Sequence, residues 1–328
     1  SESQSMDGAG LKQTVCVPAR LAAAVALSHT SDEPRLSTPA SSSSSSPSAL
    51  SFISYNIWFE MYERKARFAA LADAILAADP DFVCIQEATL WFKAQWLAHP
   101  ELSARYLGSW PPNDHFAWYF TVTFVRLAVP DLDGPGVDLP VDVVRMAYPP
   151  ADTEQGRDLL YVRLGPPDGH GLVVGNVHME SAVNAGSDHK RLLQGRALID
   201  RLSTFVAAGD DVWLMGDTNE CAELDPADSA LNAAFRDVSL DTWSTLHSGD
   251  PGWTEDTDIN IMRALFRPTA KHARLDRILL FQPSRFAPAS IDRLGTIPFA
   301  HHASTNHPIF ISDHFGLHAT YSASAAPS

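Results

Sequence analysis

A short apolar run that stops at Gly-Asp-Thr-Asn constrains the fold of this 328-residue chain more than any other feature. Val212 to Met215 form a continuous apolar run, which predicts a buried strand. Gly216 permits a sharp backbone turn, so Asp217 and Asn219 are expected just past the strand end, on a rigid sheet edge. A carboxylate and a carboxamide there suit water activation and contact with phosphate oxygens. Taken alone, the tetrapeptide is also common turn chemistry.

Other predicted strands carry polar residues at their ends in the same way. These residues are Asn56 after Leu50–Tyr55, Glu87 after Phe82–Ile85, His178, Glu180 and Ser181 after Leu172–Val177, Asp276 within Leu275–Phe281, and Asp313 and His314 before Gly316–Tyr321. Each alone has an ordinary explanation as a turn residue, a helix cap, a core histidine or a surface ion pair. Five such sites beside strands are not expected to arise independently, so we predict that they converge on one site.

The order of the predicted elements indicates the fold class. Helical spacing of apolar residues predicts helices over Glu63–Ala78 and from Ser187 to Gly209. Further strands are predicted at Trp118–Val125 and Asp158–Leu164, and the Asp131–Pro140 segment is predicted to be a surface loop. Paired strands between amphipathic helices favour two mixed sheets packed face to face and covered outside by helices. We therefore expect an α/β fold, a four-layered α-β-β-α sandwich.

Residues 1–48 differ in composition from the rest of the chain. They are rich in Ser, Ala and Pro and include the serine tract Ser41–Ser46, so we predict a disordered tail. No internal repeat or second linker of that kind follows. Residues 49–328 are therefore expected to form a single catalytic domain.

Composition excludes several classes of function. A net charge of -15 argues against binding long duplex DNA through a broad basic face, although not against a nucleic-acid end held by a metal. Three cysteines without paired spacing favour a reducing compartment, so we expect an intracellular protein of the nucleus or cytoplasm. No apolar run approaches the roughly 18 residues that a membrane span needs. We expect a monomer.

The strand-end residues are almost all oxygen or imidazole donors. Glu87 and Asp217, with Asp313 as a further oxygen donor, suit Mg2+, whereas no cysteine cluster or His-x-x-x-His helix suggests zinc. Asp217, helped by Asn219, is expected to orient and deprotonate water. The remaining roles are expected to be phosphate binding for Asn56, His178, Ser181 and Asn219, and stabilisation of transition-state charge by His314, which Asp276 orients.

These motifs, in this order, resemble those of the endonuclease/exonuclease/phosphatase superfamily from Phe52 to the C-terminus. The resemblance implies a four-layered sandwich that uses Mg2+, or Mn2+ in its place, to cut phosphodiesters. His178 to Ser181, Gly216 to Asn219 and Ser312 to Leu317 are most similar to motifs of the tyrosyl-DNA phosphodiesterase 2 family, which removes topoisomerase II tyrosine from DNA 5′ ends during DNA repair. This resemblance implies that Glu87 binds the metal and that Asp217 and His314 are the catalytic pair. It also implies that the scissile phosphate is contacted by Asn56, His178, Ser181 and Asn219.

Three positions depart from that family, and all concern the substrate. Val183 and Cys221 stand where the family has arginines, and Glu255 stands where it has a tryptophan in the DNA groove. Loss of two cations and a stacking ring would weaken the grip on single-stranded DNA. Alternatives therefore stay open: a nuclease or abasic-site endonuclease, a phosphatase or phosphodiesterase on a small phosphoester, or a binding protein that has lost catalysis.

Overall fold

The structure, a computed structural model, describes residues 11–26, 49–111, 118–128, 136–167, 169–182, 186–223 and 229–324. Strands in these residues are β1 Leu11–Val17, β2 Ala49–Asn56, β3 Phe82–Ala88, β4 Tyr106–Gly108, β5 Phe120–Arg126, β6 Val137–Ala147, β7 Asp158–Leu164, β8 Leu172–His178, β9 Asp211–Asp217, β10 Ser239–Asp241, β11 Glu255–Asp256, β12 His272–Ala273, β13 Asp276–Phe281, β14 Phe286–Leu294, β15 Ala300–His301, β16 Pro308–Ile309 and β17 Gly316–Ala323. Helices are α1 Ala19–Ala26, α2 Arg64–Ala78, α3 Leu90–Ala98, α4 Pro100–Arg105, α5 Ser187–Ala207, α6 Ala230–Val238, α7 Thr242–Leu246 and α8 Met262–Phe266.

Two large mixed sheets make up most of the architecture. One has the strand order β1-β6-β7-β8-β9-β13-β10 and the other β14-β17-β2-β3-β5-β4. Each sheet contains one parallel pair, β8 with β9 and β2 with β3, and its other neighbouring strands are antiparallel. The β11–β12 and β15–β16 pairs form two small separate sheets.

Alternation along β9 shows why these residues form a strand buried on both faces. Trp213 and Met215 belong to the core cluster shared by both sheets, whereas Val212 and Leu214 belong to the cluster beneath α5 and α6. Because successive side chains point to opposite faces of a sheet, a continuous apolar run can fill two cores at once. The same pattern holds in β2, where Phe52 faces the central core and Ile53 faces α2.

Helices cover the outer face of each sheet. Leu71 and Ile75 of α2 and Trp96 of α3 pack on one sheet, and Leu198 and Leu202 of α5 pack on the other. The layers are thus helices, sheet, sheet and helices, and the predicted four-layered sandwich is confirmed.

A buried polar contact joins the two sheets. The Gln86 side chain in β3 donates to Asn176 Oδ1 in β8 at 2.8 Å, and Asn176 Nδ2 donates to the Val122 carbonyl at 3.0 Å. Buried amides without partners would be costly, so this network favours one alignment of the sheets. It lies one residue before Glu87 and two before His178, and so helps to align those strand ends.

The prediction of a disordered tail is wrong for residues 11–26. Strand β1 pairs antiparallel with β6, from Leu11 opposite Val143 to Val17 opposite Val137. Val15 and Val17 enter the central core, and α1 buries Leu21 beside them. The Ser- and Pro-rich sequence around this short apolar segment concealed its period-two pattern. Of the predicted tail, residues 1–10 and 27–48 lie outside the described residues.

The predicted surface loop at Asp131–Pro140 is also partly wrong. Residues 137–140 begin β6, whose partners are β1 and β7, and residues 131–135 lie outside the described residues. The other predicted elements are confirmed, with ends that differ by a few residues. Across the residues that the structure describes, no helix has the length and apolarity to span a membrane.

Candidate active site

The predicted strand-end residues come together at one end of the sandwich. Asn56 is the last residue of β2 and pairs in register with Gln86 of β3. His178 ends β8 opposite Asp217 of β9, and Asp217 lies opposite Asp276, the first residue of β13. The registry therefore brings strand ends from both sheets to one place, as predicted.

Gly216 allows β9 to continue to Asp217. It has φ 135°, and a Cβ at this position would lie 2.0 Å from the Val177 carbonyl oxygen of the neighbouring strand. Asp217 is thus the last residue of the strand rather than the first after it, a small difference from the prediction. Only glycine combines that backbone angle with that close approach.

Asp217 is a buried carboxylate held by three neighbours. Its Oδ2 accepts from Asn56 Nδ2 at 2.9 Å and lies 3.4 Å from His178 Nε2, and its Oδ1 accepts from the Asn219 amide at 2.8 Å. Burial opposes its charge, but the imidazoles of His178 and His314 and these hydrogen bonds keep the pKa of Asp217 below its usual range. Asp217 is therefore ionised at neutral pH.

The two histidines of the site have opposite charge states. His314 Nδ1 lies 2.7 Å from Asp276 Oδ2. Burial disfavours the charged ring, but the Asp276 carboxylate outweighs it and raises the pKa of His314 well above its usual range. For His178, burial and the positive charge of Arg157 hold the pKa well below its usual range. The site thus pairs a cationic imidazole with a neutral one.

Glu87 and Asp313 are two carboxyl groups whose burial disfavours their negative charge. Burial and the Asp313 charge raise the pKa of Glu87 to about 7. Burial likewise raises the pKa of Asp313 to about 6. Glu87 Oε2 accepts from the Phe59 amide at 2.8 Å, and Oε1 accepts from Asn56 at 3.3 Å. Two half-buried oxygen donors that repel each other fit a hard divalent cation such as Mg2+.

Tight donor clusters also occur beside Glu87. Ligand atoms within 4.8 Å of one another are found for Asp217, Asp276 and His314, and for Glu255, Asp313 and His314. His314 Nδ1 is engaged by Asp276 and its ring is cationic, which disfavours metal ligation through that histidine. The predicted ligands Glu87, Asp217 and Asp313 remain a prediction.

Seven of the predicted site residues line one cavity of about 330 Å³: Glu87, His178, Ser181, Asp217, Asn219, Asp313 and His314. Asn56 and Asp276 lie behind them and hold Asp217 and His314.

Glu180 is a strand-end residue of a different kind. Its carboxylate accepts from Thr153 Oγ1 at 3.0 Å and from the Glu154 amide at 3.1 Å, and so anchors a neighbouring loop.

Ser181 and Asn219 are each held at the cavity wall. The Ser181 hydroxyl exchanges hydrogen bonds with the Gln155 amide group at 2.7 and 3.1 Å. Asn219 Nδ2 donates to the Met179 carbonyl at 2.9 Å. Three non-glycine residues of this cavity have left-handed backbone: Trp58 (φ 57°), Glu87 (φ 60°) and Asn219 (φ 51°).

The cavity wall includes an arginine that the sequence analysis missed. Arg157 is 6% exposed, its guanidinium lies 5.2 Å from the Tyr119 ring centroid, and its Nη2 donates to Gln155 at 3.0 Å. Its Nε has no hydrogen-bond partner among the described residues. Tyr119 in turn stacks on His178, at 5.7 Å between centroids. A largely buried arginine that lines the cavity together with His178 suits an anionic ligand.

A second basic group lines the same cavity, around Glu255. Arg263 Nε is 3.1 Å from Glu255 Oε1, Lys271 is in contact with the same carboxylate, and His314 Nε2 is 3.7 Å away. Arg267 and Phe266 also line the cavity. Glu255 therefore neutralises part of the positive charge that the cavity presents. No local motif marks these residues, because α8 and the short strands β11 and β12 bring them together only in the folded chain.

Of the other two departures, the structure describes only Cys221. Cys221 lines a neighbouring pocket of about 460 Å³, which shares Asn219, Lys271 and Leu275 with the site cavity. Val183 lies outside the described residues.

Comparisons with known proteins agree with this architecture. A model of the endonuclease/exonuclease/phosphatase family matches residues 53–314. TDP2 of D. rerio, complexed with single-strand DNA product, superposes with a TM-score of 0.62 at 22% identity over 83% of this chain and 98% of that chain. Truncated TDP2 of Caenorhabditis elegans gives 0.62 at 21% identity over 84% and 98%. A mannosyl-6-phosphatase of Bacteroides thetaiotaomicron gives 0.60 at 16% identity over 83% and 99%. No curated protein matches the chain.

Proposed function

Because this chain belongs to the endonuclease/exonuclease/phosphatase family, we propose that it is a Mg2+-dependent phosphodiesterase that hydrolyses 5′-phosphotyrosyl bonds at DNA ends. The observation that carries the proposal is the wall of the site cavity. Arg157, Arg263, Arg267 and Lys271 supply cations and Trp58, Phe59, Tyr119 and Phe266 supply rings around the ionised Asp217. Cations bind the phosphates of a DNA strand and aromatic rings stack on its bases. A small phosphoester needs neither an extended set of cations nor a set of rings.

Asp217 is the group that activates water. It is ionised and faces the cavity, and Asn56 and the Asn219 amide fix its orientation. Water bound there loses its proton to Asp217 as its oxygen attacks phosphorus, and the bond to the tyrosyl oxygen breaks. The electron pair stays on that oxygen, which takes up a proton from solvent, and the products are a DNA 5′-phosphate and free tyrosine.

Charge that develops on the phosphoryl oxygens meets donors already in place. His314 is cationic in the ground state, and the guanidinium-bearing Arg157 lines the same cavity. His178 is neutral, so one of its ring nitrogens carries a hydrogen that can be donated to the phosphate; its Nε2 lies 3.9 Å from Glu87 and 3.4 Å from Asp217. A Mg2+ ion held by Glu87, with Asp313 nearby, would neutralise a nonbridging oxygen and stabilise the leaving oxygen.

A second candidate is hydrolysis of a small phosphoester. Glu255 favours it, because this carboxylate pairs with Arg263 and Lys271 and leaves fewer cations for a polyanion. The net charge of -15 acts in the same direction.

The test is Mg2+-dependent release of tyrosine from a 5′-phosphotyrosyl single-stranded oligonucleotide, with a generic phosphodiester as the comparison substrate and Asp217→Asn as the control variant. Strong release that the variant loses supports the proposal. Cleavage of the generic ester alone would instead move the substrate to the small-phosphoester class.

A further inference from the structure

A second, larger pocket opens beside the site cavity. Its volume is about 730 Å³, and its walls include Phe59, Met61, Leu90, Trp91, Phe92 and Trp118; we call it the aromatic pocket. It shares Trp58, Phe59, Glu60 and Glu87 with the site cavity, so the two adjoin. Trp118 is 84% exposed and Leu90 48% exposed, at the mouth of a pocket whose size and apolar walls are typical of binding sites.

The aromatic pocket and the pocket that contains Cys221 adjoin different parts of the site cavity. The Cys221 pocket adjoins it through Asn219, Lys271 and Leu275, and none of these lines the aromatic pocket. The aromatic pocket therefore opens on the Glu87 side of Asp217, whereas the other pocket opens on the Asn219 side.

The aromatic pocket has little positive charge available for a ligand. Arg67 lines the aromatic pocket, but its guanidinium donates to the backbone carbonyls of Ile311, Glu60, Tyr62, Ile57 and Trp58, so it is fully engaged. Arg64 lies over the Trp91 ring at 4.6 Å, and Glu60 and Glu87 supply negative charge at the same wall. A polyanion gains little there, because nucleic-acid binding depends on available cations. An uncharged aromatic or aliphatic group fits better.

We propose that the aromatic pocket binds the leaving-group side of the substrate, an apolar peptide segment that carries the phosphorylated tyrosine. The inference rests on the proposed phosphotyrosyl-DNA activity. In-line displacement places the attacking water and the leaving oxygen on opposite sides of phosphorus. In the proposed pose, water is activated at Asp217, the tyrosyl oxygen departs where the site cavity adjoins the aromatic pocket at Glu87, and the DNA strand lies beside Lys271 of the site cavity.

The test compares two substrates that share one oligonucleotide. In the first the tyrosine is a capped amino acid, and in the second it lies within a short peptide with Leu and Phe neighbours. We expect kcat/KM of the wild type to be about ten-fold higher for the peptide substrate, and this ratio to fall to about two in Leu90→Ala and in Trp118→Ala. Leu97→Ala is the matched control, since Leu97 lies on α3 like Leu90 and is 55% exposed, but does not line the pocket.

A ratio near one in the wild type, or equal losses for both substrates in the Leu90 and Trp118 variants, would overturn the inference. A ratio that depends on oligonucleotide length would do so too, since it would assign the pocket to nucleic acid.

A binding measurement separates this inference from the proposed activity. The fluorescein-labelled peptide, with neither phosphate nor oligonucleotide, is titrated with Asp217→Asn protein and followed by fluorescence anisotropy. Binding that weakens about ten-fold when Trp118→Ala is added supports the pocket even if neither phosphotyrosyl substrate is cleaved, a result that would reject only the proposed function. Cleavage of both substrates without any peptide binding would reject only the inference.

Discussion

Replacing Asp217 by Asn should separate the catalytic role of this carboxylate from its structural role. The carboxylate accepts hydrogen bonds from Asn56 Nδ2 and the Asn219 amide. Asn56 cannot turn its amide to compensate without losing the bond that its Oδ1 accepts from the Trp58 amide at 3.1 Å. In the variant, the side-chain NH2 group therefore faces an N–H donor of Asn56 or Asn219 and makes no hydrogen bond with it. A buried unsatisfied group costs roughly 1–3 kcal/mol of unfolding free energy.

The expected catalytic loss is larger than that structural cost. Removal of a general base lowers turnover by roughly 10²- to 10⁴-fold. The assay is kcat for release of tyrosine from the phosphotyrosyl oligonucleotide at saturating Mg2+, together with Tm from thermal unfolding. A loss of a few kcal/mol of stability leaves the protein folded at assay temperature, so the loss of turnover would reflect chemistry.

Asp211→Asn is the matched control. Asp211 begins the strand that Asp217 ends, about 20 Å away at the usual rise per residue. It is equally buried and accepts from the Arg285 guanidinium at 2.6 and 3.0 Å. Its variant should lose stability with little change in kcat. If Asp217→Asn retained kcat within ten-fold of the wild type, Asp217 would not be the base.

Three further outcomes follow from the site. A carboxyl whose pKa rises on folding destabilises the protein as pH rises from its usual value through the raised one. The metal-free protein should therefore lose stability between about pH 4 and 7 through Asp313 and Glu87, and Mg2+ should raise Tm more at about pH 8 than at about pH 5.5. Scanning fluorimetry at both pH values checks this. If Mg2+ raised the Tm of Glu87→Gln as much as that of the wild type, Glu87 would not be a metal ligand. Arg157→Gln should lower kcat/KM roughly 10- to 100-fold and also lower Tm modestly, because the hydrogen bond to Gln155 and the contact with the Tyr119 ring are lost; unchanged steady-state kinetics would assign Arg157 to packing alone. Glu255→Gln should lower KM for the oligonucleotide and steepen its dependence on salt, because two basic side chains are freed; a salt slope equal to that of the wild type would contradict this account of Glu255.

Short-range pattern accounts for the part of the site that the sequence could predict. Asn56, Glu87, His178 and Asp217 each end an apolar run, and the ends of buried strands in packed sheets meet at one edge. The order of strands and helices predicted the layers for the same reason.

Residues whose position depends on tertiary structure could not be predicted. Arg157 lies in an irregular segment before β7, and only the fold places it between Tyr119 and Gln155. The sequence showed Glu255 as a departure from a resembling family, but not its ion pairs, because Arg263 and Lys271 reach it from α8 and its following loop. Strand β1 was missed because a single edge strand inside a Ser-rich region carries little periodic signal.

The left-handed backbone at Trp58, Glu87 and Asn219 means that the cavity stores conformational strain. Each such residue costs roughly 1–3 kcal/mol, less for asparagine, and the surrounding core must supply that energy before any ligand arrives. The molecule is thus less stable than its packing alone would allow, in return for side chains that need no rearrangement on binding. Efforts to raise the melting temperature should therefore leave these three positions unchanged and seek stabilising substitutions in the outer helices. Glycine would relieve the backbone strain at Glu87 and Asn219, but it would also remove the side chains that this backbone positions in the cavity.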